Sequence, residues 1–141
     1  MHLEIINNLA GFEALASEWN ELLSCCSASH VPFLRQEYLK TWWKTLGGGE
    51  WSTGELFIIT GRRADKTLAG IAPLFLTKDA TGASSLMLLG SIEISDYLDL
   101  IASEADLPEF IEALLTLLAS ELSPDWQILD LYNLPELSPT L

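Results

Sequence analysis

The sequence predicts an α+β domain: a mixed, mainly antiparallel sheet flanked by about three helices. Three observations predict it. Apolar residues recur at helical spacing in two early segments, around 9–23 and 35–46. A series of short β-branched and aromatic runs, punctuated by Gly, Pro and Asp, fills 55–101 and reads as a meander. A third helical pattern and a final strand follow, and returning from strand to helix to strand requires a crossover. The predicted order is β-α-α-β-β-β-β-α-β. With 141 residues, 49% apolar and five of them Trp, the chain is expected to be one domain spanning 1–141 with a substantial core.

His2 to Ile6 reads as the first strand. A helix over Leu9 to Leu23 follows, burying Phe12, Leu15, Trp19, Leu22 and Leu23. Ser24 to Phe33 reads as a loop, and Pro32 prevents a helix from running through it. The second helix is expected over Arg35 to Leu46, with Leu39, Trp42, Trp43 and Leu46 inward and Tyr38 on the shoulder. It lacks a good N-cap, and Gly47-Gly48-Gly49 ends it. Strands over Glu55 to Arg62 and Thr67 to Thr77 form a hairpin around Ala64-Asp65-Lys66, and Pro73 marks an edge or a bulge in the second. After a turn at Asp79 to Ala83, Ser85 to Leu89 and Tyr97 to Ile101 read as further strands, separated by a break at Gly90-Ser91. Asp106 and Glu109 have capping-box spacing and Pro108 suits a first turn. That helix is expected to run to Leu122 and to bury Ile111, Leu114, Leu115, Leu118 and Leu122. Trp126 to Tyr132 is the last strand, and Asn133 to Leu141 is irregular.

Charge and cysteine usage narrow the function classes. Twenty Asp and Glu against seven Lys and Arg give −13. Such a chain repels phosphate backbones and anionic lipid surfaces, so neither nucleic acid nor membrane is an expected partner, and solubility is the plain reading of the acidity. The only cysteines, Cys25 and Cys26, are adjacent. A disulfide between neighbours is strained, which points to two thiols in a reducing, cytoplasmic setting. No signal peptide is evident at the start, and Phe110 to Leu122 is too short and too interrupted to span a bilayer. Two cysteines and two distant histidines do not make a zinc site.

Candidate functional residues cluster in Ser95-Asp96-Tyr97-Leu98-Asp99, where two carboxylates, a serine and a phenol interrupt an apolar strand pattern. Acidic residues form strands poorly, so their presence asks for a reason. In a regular strand Asp96 and Asp99 would fall on opposite faces, and only one could face a given cleft. For Asp96, a turn-capping or bulge role stands beside a substrate-side role. Phe33, Tyr38, Trp42 and Trp43 would serve as core or as an aromatic wall for a ligand, with Trp43 the more exposed of the Trp pair. His30 near Cys25 and Cys26 lacks the electropositive setting that thiol catalysis needs, and Glu93 with Asp96 matches no known hydrolase or metal spacing.

Five motifs in order carry a family resemblance: Phe12-x-x-Leu15-x-x-x-Trp19-x-x-Leu22; Pro32-Phe33 ahead of Tyr38-Leu39-x-x-Trp42-Trp43; Gly70-Ile71-Ala72-Pro73-Leu74; Leu89-Gly90 leading to Ser95-Asp96-Tyr97-Leu98-Asp99; and Trp126 to Leu134 with Pro135 and Ser138-Pro139. Together they resemble the N-terminal half of the BioF2-like, cellulose-biosynthesis-protein (CelD)-like acetyltransferases of the GNAT superfamily, relatives of the FemAB aminoacyl transferases. The resemblance implies a GNAT-like fold and a tandem arrangement continuing past Leu141. This half would help form the acceptor cleft, and a second half would hold acyl-CoA and transfer the acyl group to an amine. In active GNAT domains an Arg/Gln-x-x-Gly-x-Gly/Ala loop cradles the CoA pyrophosphate with backbone N–H groups and a helix N-terminus. The equivalent stretch here, Ala102 to Pro108, has no glycine and no cation, and Glu104, Asp106 and Glu109 lie in or beside it. The resemblance therefore implies acyl-CoA as the cofactor of a full-length relative, with none bound by this chain and no activity from this chain alone. It assigns no catalytic residue. Asp96 and Tyr97 are the first expected acceptor contacts, with Asp99 and Trp43 beside them. The expected partner is a second GNAT half or a second copy of the chain, paired through the open edge of the last strand. The alternatives are a stand-alone interaction module without activity and a divergent single-domain acetyltransferase, which the acidic loop disfavours.

Overall fold

In the computed structural model the elements follow the order β1 (His2–Ile6), α1 (Leu9–Ala14), α2 (Ala16–Ser24), α3 (Gln36–Leu46), β2 (Glu55–Arg62), β3 (Leu68–Lys78), β4 (Ser84–Leu88), β5 (Ile101–Ala102), α4 (Leu107–Leu118) and β6 (Ile128–Asp130). The structure describes residues 1–46, 54–78, 81–91 and 94–141. Gly47-Gly48-Gly49, Asp79 and Glu93 lie outside them, as does the side chain of Leu46.

The fold is α+β. Strands β1, β2, β3, β4 and β6 lie side by side in that order, and β5 pairs with β3. All pairings are antiparallel except β4 with β6, which is parallel and is reached by the crossover through α4. Direct cross-strand partners share a face, so Gly61 with Gly70 and Phe57 with Leu74 look one way. Ile58 with Pro73 and Leu56 with Phe75 look the other way. Helix α4 covers the first face by setting Phe110 over the two glycines, where an added Cβ would collide with its ring. Helix α3 covers the second, with the Trp42 and Trp43 rings 5.7 and 6.0 Å from that of Phe75.

Pro73 sits in neither an edge strand nor a bulge, contrary to the sequence expectation. It lies in central β3, opposite Ile58, where the neighbour on the other side changes from β4 (pairing with 74–78) to β5 (pairing with 70–71). Its carbonyl accepts from Leu89 N–H at 2.7 Å on that side. The N and C=O of one strand residue point the same way, so the position that lacks an N–H faces the gap where β4 ends. The chain leaves the sheet there and returns at Ile101.

Several boundaries differ from the sequence expectation for tertiary reasons. The expected 9–23 helix is broken at Leu15, which donates back to Phe12 in a tightened turn (3.3 Å), although all five of its predicted inward residues are buried. The expected 24–33 loop holds two 3₁₀ turns, Ser27–His30 and Pro32–Leu34. Helix α3 obtains its missing cap through space: Asn20 Oδ1, on α2, accepts from Gln36 N–H at 3.1 Å. Helix α4 stops at Leu118 rather than Leu122, because the Trp126 indole N–H donates to the Leu118 carbonyl at 3.0 Å. The same bond draws Trp126 out of the last strand, which shortens from 126–132 to 128–130. Leu107, Phe110, Leu114 and Leu118 are the buried stripe of α4, and the expected core residues Leu115 and Leu122 are exposed. The expected 97–101 strand survives only as β5.

Among the described residues no helix is long and apolar enough to cross a membrane, and no group of three or more His, Cys, Asp or Glu is placed to hold a metal ion.

Candidate functional site

The excursion between β4 and β5 is the segment that carries the candidate residues. It starts at Gly90, whose φ of +94° favours glycine, and a Cβ there would lie 3.0 Å from Ser95 Oγ and 3.1 Å from a Leu98 methyl. The loop is therefore folded tightly back on its own entry. Tyr38, from α3, braces it: the phenol lies 2.9 Å from Ser95 Oγ and 3.2 Å from the Ile94 carbonyl. The phenol has one hydrogen, so donating it to Ile94 leaves it accepting from Ser95. From the far side Asn133, itself at φ +62°, donates Nδ2–H to the Ser95 carbonyl at 2.8 Å and accepts Leu98 N–H at 3.0 Å.

This bracing presents Asp96 and Tyr97 to solvent. Asp96 is exposed and bonds to no described residue. Tyr97 is 58% exposed and has φ +63°, a conformation that costs a residue with a Cβ on the order of 1 kcal/mol. An exposed aromatic held at such an angle gains nothing from burial, which makes it a functional candidate. Tyr97→Gly is expected to be between neutral and about 1 kcal/mol more stable, measured by urea denaturation, because the strain removed offsets glycine's added chain entropy. A clear destabilisation would show that the Tyr97 ring holds the loop.

Asp99 has a different position. It is 3% exposed, and its carboxylate accepts from Leu100 N–H at 2.8 Å, Ser138 Oγ at 2.5 Å and Thr140 Oγ1 at 2.5 Å. The two carboxylates do part, but in an irregular segment to which the strand alternation expected here does not apply. Asp99 fastens the C-terminal segment and, with His30 and Ser138, lines a cavity of about 430 Å³. Its oxygens are already occupied within the chain, which removes it from the surface that Asp96 and Tyr97 share. Trp43 is half-buried and more exposed than Trp42, and it packs on Phe75. Asn133 is the structural member that sequence reasoning passed over, and Tyr38, expected as core or as part of an aromatic wall, braces the loop through its hydroxyl. An Asn ahead of Leu134-Pro135 is the one local signal, since Asn tolerates positive φ.

Cys25 is exposed and forms no disulfide. Cys26 is buried, bonds to the Leu22 carbonyl at 3.1 Å, and has its pKa pushed up to about 11, mainly by burial. A thiol so raised is a poor nucleophile.

The start of α4 is the place where the family resemblance would put a pyrophosphate. Leu107 N–H already donates to the Ser103 carbonyl at 2.9 Å, and Asp106 N–H bonds to the same carbonyl at 3.1 Å. Pro108 has no N–H. Asp106 does not cap the helix. Its carboxylate is paired with the Arg63 guanidinium and accepts from Ser103 Oγ. Glu109 accepts from the Met1 ammonium at 2.7 Å instead of closing a capping box. The Arg63 hydrogen bond, with a smaller contribution from Ser103, holds the Asp106 carboxyl below its ordinary value of 3.8. A depressed carboxyl contributes stability above the unfolded-state pKa and loses it as pH falls through the folded-state pKa. Lowering pH from about 5 to about 2.5 is therefore expected to reduce the denaturation midpoint more in the wild type than in Asp106→Asn. Equal losses would show that the pair contributes nothing.

No protein-family model matches the chain, and no curated protein and no solved structure matches it.

Proposed function

We propose that the chain is the N-terminal, acceptor-side half of a BioF2-like acetyltransferase, a GNAT-like domain that is non-catalytic alone and acts with a second GNAT-type half. The observation that carries this reading is the start of α4. Leu107 and Phe110 N–H are already bonded to the Ser103 and Asp106 carbonyls, Pro108 has no N–H, and the Arg63 guanidinium is paired with Asp106. These residues do not fit a pyrophosphate. The antiparallel meander followed by a crossover to a parallel last strand agrees with a GNAT-like plan, and the motif order supports the family. Acyl-CoA is then held by the second half, and this chain contributes the Asp96–Tyr97 surface. An exposed carboxylate beside a phenol suits a protonated amine, through a charge-assisted hydrogen bond.

The test is transfer of a labelled acetyl group from acetyl-CoA to a panel of primary amines by the purified chain. No transfer is expected. Turnover that Asp96→Asn abolishes would overturn the reading in favour of a complete single-domain enzyme. The open edge at β6 supports a second reading, a stand-alone interaction module, and a chain that folds alone with no second half encoded beside it would favour that one.

A further inference from the structure

We infer that the β6 edge and the adjoining 94–97 loop form one track for an extended, lysine- or arginine-rich polypeptide segment. Three features meet there. The first is an unpaired edge: β6 ends the sheet order and pairs only with β4, so one row of its backbone groups has no neighbouring strand among the described residues. Such an edge adds a strand readily. The second is exposed apolar surface at that strand and just past its end. Ile128 in the strand and Tyr132 in the turn just after it are 42% and 43% exposed, while Leu129 and Leu131 pack toward the core. Asn133, three residues past β6, ties this segment to the loop through its bonds to Leu98 and Ser95, and on that loop Tyr97 and Ile94 are 58% and 59% exposed. Exposed apolar groups in continuity with an open edge mark an interaction surface.

Charge selects the occupant. All seven Lys and Arg lie at or before Lys78, and twelve of the twenty Asp and Glu lie after it. The track therefore has no cation of its own. Asp125 and Asp96 are exposed along it, and Asp130 sits between Ile128 and Tyr132. A second copy carrying −13 would meet like charge, whereas a segment alternating cations with apolar residues answers both the carboxylates and the apolar surface. The edge supplies backbone pairing, Ile128 and Tyr132 supply apolar contact, and the aspartates supply sign and register.

For its 94–97 end the inference rests on the proposed acceptor role of that loop, and it gives the acceptor a class: an amine presented on an extended basic polypeptide. The test reads binding rather than acyl transfer, so the two readings fail separately. The probe is a nine-residue synthetic peptide alternating Lys and Val, titrated into the full chain and followed by amide chemical shifts and hydrogen exchange. The control alternates Lys and Pro, which keeps the charge but cannot form a ladder. The Lys/Val peptide is expected to bind, to slow exchange in Ile128–Asp130 and to shift Asp96 and Tyr97. It should bind at least about tenfold more weakly to Asp125→Lys/Asp130→Lys, a surface variant whose unchanged thermal midpoint would establish folding. Three results overturn the inference: no binding by Lys/Val, equal binding by Lys/Pro, or edge amides already protected in the free protein by a self-paired dimer.

Discussion

Asp99→Ala is expected to cost about 2–3 kcal/mol of stability and to release residues 134–141 before the sheet unfolds. The carboxylate is buried and receives three donors, one from its own neighbour and two from Ser138 and Thr140. Hydrogen bonds to a charged group are worth more than neutral ones, and the loss leaves Leu100 N–H without its acceptor. The two hydroxyls recover part of the loss by turning to water once the segment detaches, so the cost stays below that of a fully trapped donor set. Urea denaturation measures the stability, and limited proteolysis at Leu137, already 94% exposed, measures the release. Asp99→Asn keeps an acceptor but brings hydrogens of its own, and should fall between the two. If proteolysis at Leu137 were unchanged in Asp99→Ala, the clasp would not be what holds the segment.

Gly70→Ala should be comparably damaging, at roughly 2–3 kcal/mol, although it adds a single methyl group. The added Cβ would fall inside the Phe110 ring, against ring atoms close to the backbone rather than a flexible tip. Gly61 is closed by the same ring, at 2.8 Å, so Phe110 has no adjacent space to move into. Two small residues opposite one another on β2 and β3 let α4 sit close to the sheet, and the helix would have to lift. Phe110→Leu relieves the clash while costing packing of its own. The double variant Gly70→Ala/Phe110→Leu is therefore expected to be less destabilised than the sum of the singles. Additive costs in a double-mutant cycle would contradict the contact.

This packing also shows what could be read in the sequence. The stripe Phe12, Leu15, Trp19, Leu22 and Leu23 gave its burial correctly because helical periodicity is local, and it did so even though the helix breaks at Leu15. The hairpin around Asp65 and the crossover into β6 were legible for the same reason. Phe110 was not, because the reasons for its burial, Gly61 and Gly70, are on other strands. Counting Leu115 and Leu122 instead rotated the expected face of α4. The candidate site was half legible. Two carboxylates in an apolar run announced it, but alternation holds for a regular strand, which the segment does not form. What each does depends on distant groups. Asp99 bonds to Ser138 and Thr140 in the last turn of the chain, and Tyr97 takes a positive φ because Tyr38 and Asn133 pin the residues around it. The acidic start of α4 was plain in the sequence, but its pairing with Arg63 across the β2–β3 turn was not.

The central claim is that this domain works on the acceptor side and leaves acyl-CoA to another half. Isothermal titration of acetyl-CoA into the purified, folded chain tests it most directly. No saturable heat is the result expected from a helix start where Leu107 and Phe110 N–H are already bonded, Pro108 has no N–H, and the Arg63 guanidinium is paired with Asp106. Saturable binding at micromolar strength, weakened by substitutions at Ser103 or Arg63, would contradict the claim and make the chain an acetyltransferase in its own right.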